Sequence, residues 1–294
     1  MDKEATREAK TAYLLVAPSL IVIGVIALFP ILRSLWMSFY AIDLTLPQLG
    51  RPFVGLANYL EIFTDSRFWA ALWNTTYFTV ISVTLELVLG LAIAMLVNRP
   101  FAGRGLLRAS VLIPWAIPTV VSAQMWRWIF NDKAGILGSL LQNFKILSEP
   151  YPWLASVETA RLCIIAADVW KTTPFMVLLL LAGLQTISPE YYEAAMVDGA
   201  TPFRRFLHVT LPLLKPIILV ALLFRTLDAF RIFDLVYVLT GGAFKTETLS
   251  VLTSDVTFKC SDYGQGSALA VVMFCCIMVI SFIFIKVLGA KVEE

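Results

Sequence analysis

The sequence predicts an all-α membrane protein with six transmembrane helices in a single domain spanning residues 1–294. Two observations carry this. The 294 residues are 59% hydrophobic and only 15% charged, with a mean hydropathy of +0.80, whereas soluble domains run to about 45–50% apolar and about 25% charged. The apolar residues also fall into six runs of the length that a bilayer demands, about 20 residues each. A soluble fold of this length needs more polar surface than this chain supplies, so the excess apolar surface faces lipid.

The six predicted spans are Ala12–Phe39, Ala70–Val97, Leu106–Phe130, Arg161–Leu184, Leu213–Leu239 and Ser267–Leu288. The first is too long for a secretory leader, carries Pro18 and Pro30, and lacks a clear small-residue cleavage site, so it reads as a retained span. Basic residues in the short loops set the orientation. Lys3, Arg7 and Lys10 precede the first span; Arg99, Arg104 and Arg108 crowd the second loop; Arg204, Arg205 and Lys215 mark the fourth; Lys286 and Lys291 close the chain. The remaining loops are longer and mix their bases with acids. Both termini are therefore expected in the cytoplasm.

Composition excludes several classes. A net charge of +2 without a basic stripe gives no footprint for nucleic acid. The lone histidine, His208, and four scattered cysteines, Cys163, Cys260, Cys275 and Cys276, offer neither a zinc site nor a disulfide framework. No catalytic set and no metal site are expected, which leaves no basis for a membrane-embedded enzyme.

The fourth loop, residues 185–212, is more than a connector. Ser188-Pro189-Glu190 is a helix start, with a capping hydroxyl, proline at the first helical position and an acid in the first turn. That helix is expected to run to Asp198 and stop at Gly199. Thr201-Pro202 repeats the start signal for a second short helix, expected to run to about Val209 and end before Pro212. Tyr192, Ala195, Met196 and Gly199 share one face of the first helix by spacing. From physics alone this is either a docking surface or an amphipathic helix lying on the membrane or on its own bundle.

Ionisable residues within spans are costly and usually face a cavity or one another. Here they are Glu86, Asp168, Lys171, Arg225, Asp228, Arg231 and Asp234. Asp168 and Lys171 are positioned to pair on one helix, and Arg225, Asp228, Arg231 and Asp234 recur every third residue with alternating sign. On a continuous helix such a row spirals, so Arg225 and Asp234 are expected on opposite sides and one aqueous face cannot hold all four. Glu86 reads as a buried polar contact to another helix. The set is either a mid-membrane site for a hydroxyl-rich solute, with Trp115, Trp170 and Phe175 available for stacking, or an ion-pair ladder that only holds the bundle.

Several motifs resemble a known family. Glu193-Ala194-Ala195, then Gly199, Val209 and Leu211-Pro212 at matching intervals, resembles the EAA loop of binding-protein-dependent ABC importer permeases, with Val209 where the family has isoleucine. Leu112 to Pro118, Trp170 to Met176, Phe224 to Asp234 and Leu239-Thr240-Gly241-Gly242 are similar to the carbohydrate-type permeases, above all those of mycobacterial trehalose and cyanobacterial glucosylglycerol and disaccharide importers. The resemblance implies a type I importer (MetI-like) permease fold with a cytoplasmic coupling helix, in a bacterial inner membrane. It implies that Glu193, Ala194, Ala195, Met196, Asp198, Gly199, Pro202 and Phe203 engage an ATPase. By similarity to the maltose permease, it places Trp115, Asp168, Lys171, Thr172, Phe175, Asp228 and Arg231 at sugar-contact positions. That permease has asparagines where this chain has Asp168, Asp228 and Arg231.

The implied partners are a second permease, two ATP-binding subunits, an extracytoplasmic solute-binding protein, the sugar and the lipid bilayer. The chain has no GxxxxGK[ST] loop, so no cofactor is expected on it, and ATP and Mg belong to the partner ATPase. Competing readings are an importer of glycerol phosphate, a polyol or another small solute, and an ion-coupled secondary transporter using Asp168 or Asp228. The secondary transporter has no use for the cytoplasmic loop.

Overall fold

A computed structural model describes residues 3–289 apart from 46, 47 and 49. Lys291, and the side chains of Lys3, Arg7 and Lys10, which entered the orientation argument, lie outside the described residues. Every long element is a helix; among the described residues extended pairing is limited to two isolated bridges, Tyr40 with Phe53 and Asp43 with Asp262. The chain divides into two compact units.

The first unit comprises Met1–Asp65 and Thr253–Phe274. Its helices α1 (Lys3–Ile23) and α2 (Phe29–Met37) are joined by a π turn at Gly24–Leu28. They form one span, Thr11–Met37, whose most apolar stretch buries nothing within the chain. Past the end of α2 the backbone turns and is tied down by α3 (Ala57–Thr64): Asn58 Nδ2 donates to the carbonyls of Ser38, at 2.8 Å, and Tyr40, at 3.1 Å. The Tyr263 amide, which opens α14 (Tyr263–Gly289), donates to Ile42 O at 2.8 Å.

The second unit comprises Ser66–Leu252 and Cys275–Glu294. At its centre is α8 (Val157–Thr186), the most buried of the described spans, while α7 (Ile136–Asn143) and α13 (Leu249–Ser254) are short helices. Against it lies α4 (Ser66–Asn98), whose buried residues Ala71, Thr75, Phe78, Ser82, Glu86, Gly90, Ala94 and Val97 recur at steps of three and four. Small residues on that stripe let the two backbones approach closely. A Cβ at Gly90 would stand 2.7 Å from Met176 Cβ, next to the helix backbone, where no side-chain rotation relieves it. Gly90→Ala is therefore expected to push α4 off α8 and cost about 1–3 kcal/mol, seen as a lower melting temperature in detergent. An unchanged melt would place the α4–α8 packing elsewhere.

The sequence expectation of a third span at 106–130 meets a broken helix. Its residues form α5 (Arg104–Ala116) and α6 (Thr119–Ile129), bent by 93°. Pro118 has no N–H to donate and drives Ile117 into extended backbone, with φ −73° and ψ 133°. Among the described residues five helices are long and apolar enough to cross a membrane, and the bent pair makes a sixth where it is counted as one span.

The fifth span is also interrupted. Helix α11 (Leu211–Phe230) ends at Arg231, and α12 (Asp234–Leu239) restarts after Phe233, which takes φ −132° and ψ −66°. The expectation that Arg225 and Asp234 lie on opposite sides of one helix is thereby overturned, because the chain turns between them.

The fourth loop folds as its capping signals require over its first half. Helix α9 (Pro189–Val197) is capped by Ser188, and Gly199 takes φ +76°. The amides of Gly199 and Ala200 close back on Met196 O and Ala195 O, the bonding of a left-handed C-terminal cap. The second half differs from expectation. Helix α10 (Pro202–Arg205) does not stop before Pro212 but passes through a π turn, Phe206–Thr210, directly into α11. Leu211, beyond the expected end of the second helix, is helical and donates back to Phe206 O; the wide turn makes room for the Pro212 ring.

Candidate functional site

The intramembrane charges are organised around Arg225, a side chain 2% exposed on α11. Its guanidinium reaches three helices. Nε and Nη2 donate to the two carboxylate oxygens of Glu86 on α4, the Nη2 bond being 2.7 Å; Nη2 also reaches Asp168 Oδ2 on α8 at 2.9 Å, and Nη1 reaches Asp228 Oδ2 at 2.7 Å. Glu86 is fully buried and accepts a further bond from Thr172 Oγ1 at 2.7 Å. A bidentate guanidinium–carboxylate pair is the arrangement best able to offset the loss of hydration around two buried charges. Glu86 thus makes the interhelical contact expected of it.

The expected Asp168–Lys171 pair gives way to different partners. Asp168 serves Arg225, and Lys171 Nζ donates to Ile117 O at 2.6 Å. That carbonyl sits at the break between α5 and α6, where Pro118 interrupts the helix ladder. A cation at the C-terminal end of α5 satisfies it and complements the negative end of the helix dipole.

Both helix breaks open onto one cavity of about 510 Å³. Its wall includes Trp115, Ile117, Pro118 and Thr119 from the first break and Arg231, Ile232, Phe233 and Asp234 from the second. Asp168, Lys171, Thr172, Arg225 and Asp228 complete its polar side. Irregular backbone is tolerated within a membrane span where it is buried in protein or lines a water-accessible cavity, and discontinuous helices mark many transporter sites.

Of the residues singled out from the sequence, Trp115, Asp168, Lys171, Thr172, Asp228 and Arg231 line this cavity. Phe175 stands behind it, its ring stacked on Trp115 with centroids 6.1 Å apart. Trp170 lines a separate apolar cleft with Leu89, Val111 and Pro114. The sequence marks Arg225 and Asp234 as charged residues without placing them in the site. Arg225 is hidden because its partner Glu86 lies 139 positions away, and Asp234 because its spacing suits an unbroken helix.

On the loop, Tyr192 OH and Thr210 Oγ1 lie 3.1 Å apart and fasten α9 to the turn that leads into α11. Tyr192 and Ala195 are half-buried by this packing, so the face shared with Met196 and Gly199 divides. Glu193, Ala194, Met196, Asp198, Gly199, Pro202 and Phe203 stay exposed. Val197 at 88% and Phe203 at 69% are the most open apolar side chains of the segment.

A helical membrane bundle with a polar cavity at two helix breaks and a separate, apolar-tipped loop is the build of a multi-pass transport component. The chain belongs to the family described as binding-protein-dependent transport system inner membrane component, whose model matches residues 86–294. Over 282 residues it is 44% identical to the trehalose/maltose transport system permease protein MalF of Thermococcus litoralis, covering 96% of this chain and 94% of that one. It is 46% identical over 284 residues to the trehalose transport system permease protein SugA of Mycobacterium tuberculosis, covering 96% and 90%. In fold it is similar to a chain in the crystal structure of a bacterial ABC transporter involved in the import of the acidic polysaccharide alginate, with a TM-score of 0.85 at 21% identity, covering 98% of this chain and 99% of that one. The relatives are transport components rather than enzymes.

Proposed function

We propose that this chain is a permease subunit of an ATP-driven importer that carries a sugar, a disaccharide of the trehalose or maltose kind, across the cytoplasmic membrane by alternating access. The observation that carries the reading is the meeting of two helix interruptions at one cavity that combines carboxylates, a guanidinium, an ammonium group and an indole ring. Sugar hydroxyls donate and accept hydrogen bonds, so a mixed set of ionised donors and acceptors holds them well. Trp115, about half exposed and backed by Phe175, offers a flat apolar surface to a pyranose face. The names of the two relatives described above support the same solute class.

A soluble binding protein delivers the sugar to the outer end. This chain and a second permease enclose the path. Two ATPase subunits, which use ATP and Mg, grip residues 185–212 from the cytoplasm, where both termini also lie. The unpartnered apolar side chains of Met196, Val197 and Phe203 on that loop support a docking role. Because α10 continues through the π turn into α11, a displacement of the loop is passed along a helix that reaches the cavity at Arg225 and Asp228.

The test is uptake of labelled trehalose or maltose into proteoliposomes holding the assembled complex. ATP-dependent uptake is expected. Uptake that persists without the ATPases would favour an ion-coupled carrier, and transport of glycerol phosphate or a polyol in place of the sugars would reassign the solute. Trp115→Ala is expected to raise the half-saturating sugar concentration about fivefold, the worth of one aromatic contact of about 1 kcal/mol. An unchanged concentration dependence would remove Trp115 from the site.

A further inference from the structure

The charges around the cavity are committed in an uneven way. Arg225 spends Nε, Nη1 and Nη2 on Glu86, Asp168 and Asp228. Lys171 spends a donor on Ile117 O. Arg231 is the cation with most donors left over; its Nε bonds Leu227 O at 3.2 Å, and the guanidinium is exposed. The carboxylates are less spent. The Asp228 side chain is 67% exposed although it bonds Arg225, and Asp234 is exposed at the start of α12. These two acids flank Arg231 three residues on either side.

Counting Glu86 behind the wall, four carboxylates (Glu86, Asp168, Asp228, Asp234) face three cations (Lys171, Arg225, Arg231). Backbone dipoles do not alter this balance. Each break brings one helix C-terminus and one N-terminus to the cavity, so their partial charges oppose each other. A phosphate or sulfonate entering here would find the guanidinium of Arg231, bonded only through Nε, and two open carboxylates on the same cavity wall. Freeing Arg225 would strand the buried Glu86.

We propose that the cavity is a charge filter: Asp228 and Asp234, which precede and follow Arg231 across the break between α11 and α12 and line the same cavity, restrict it to uncharged, hydroxyl-rich solutes and turn away sugars that carry a phosphate or sulfonate. Hydroxyl groups satisfy both the open carboxylates and the open guanidinium, whereas an anion satisfies only the latter and is repelled by the former. This rests on the sugar-importer reading and narrows its solute class.

The test measures direct binding to the detergent-solubilised complex of both permeases and ATPases without the soluble binding protein, so that discrimination by that protein does not enter. The probes are trehalose and its 6-phosphate ester. Trehalose is expected to bind at least roughly tenfold more tightly than the ester, as for an uncompensated like-charge contact. Asp234→Asn and Asp228→Asn are each expected to narrow that gap by strengthening the ester. Equal or tighter binding of the ester to the unmodified complex would overturn the filter while leaving the sugar reading intact. So would a gap that neither variant changes. Absence of binding by both probes, in a complex that imports a solute other than a sugar with ATP, would overturn the filter and the sugar reading together.

Discussion

Arg225→Met is expected to leave little folded protein in the membrane. The substitution removes the single cation that joins Glu86, Asp168 and Asp228 and leaves Glu86, fully buried on α4, with only the Thr172 hydroxyl. Breaking a buried pair by deleting one partner costs about 3–5 kcal/mol, a large part of the stability of an ordinary domain. Glu86→Met alone is expected to be milder, because Arg225 keeps two carboxylates at the more open end of the cluster. The double variant Glu86→Met with Arg225→Met is expected to recover part of the loss, since replacing both ions with apolar side chains removes the stranded charge. Folded yield after gentle extraction, together with thermal melts of all three variants, reads this directly. A double variant no better than Arg225→Met would show that Asp168 and Asp228, rather than Glu86, hold the guanidinium in place.

Phe203→Ala is expected to act in the opposite way, sparing the chain and disabling transport. The ring is 69% exposed and contributes little to folding, so its removal should shift stability by about 0.5 kcal/mol or less. In a docked loop the same ring would be an anchor, and truncating such an anchor costs about 2 kcal/mol or more, roughly thirtyfold in affinity for the ATPase. Copurification of the ATPase and ATP-driven uptake should fall together, while membrane insertion and the melting temperature stay at wild-type values. Unchanged uptake in this variant would detach the loop from the energy source.

These two residues also mark what was legible in the sequence. The span positions follow from apolar run length, and α9 with its left-handed stop at Gly199 follows from Ser188-Pro189-Glu190 and the glycine, because capping is local chemistry. The breaks are harder to read. Pro114, Pro174 and Pro216 all sit inside helices, so a proline alone does not announce the right-angle turn made at Pro118. The interruption at residues 231–233 contains neither proline nor glycine, and its only trace is the density of charge around it. The Glu86–Arg225 pair joins two spans far apart in the chain, and composition and spacing carry no information on which spans meet. Spacing and resemblance therefore point to six residues of the polar wall, but not to Arg225, Asp234 or the shape of the wall.

The two helix breaks have a last consequence. They leave amides, carbonyls and ionised side chains midway along the spans, and these groups need hydrogen-bond partners at every moment. When no solute is held, solvent must take its place, so the cavity is never dry. Loading is then an exchange of one hydrated shell for another rather than entry into an oily void, and each sugar admitted displaces a small pool of water. The barrier to leakage must accordingly be built above and below that pool.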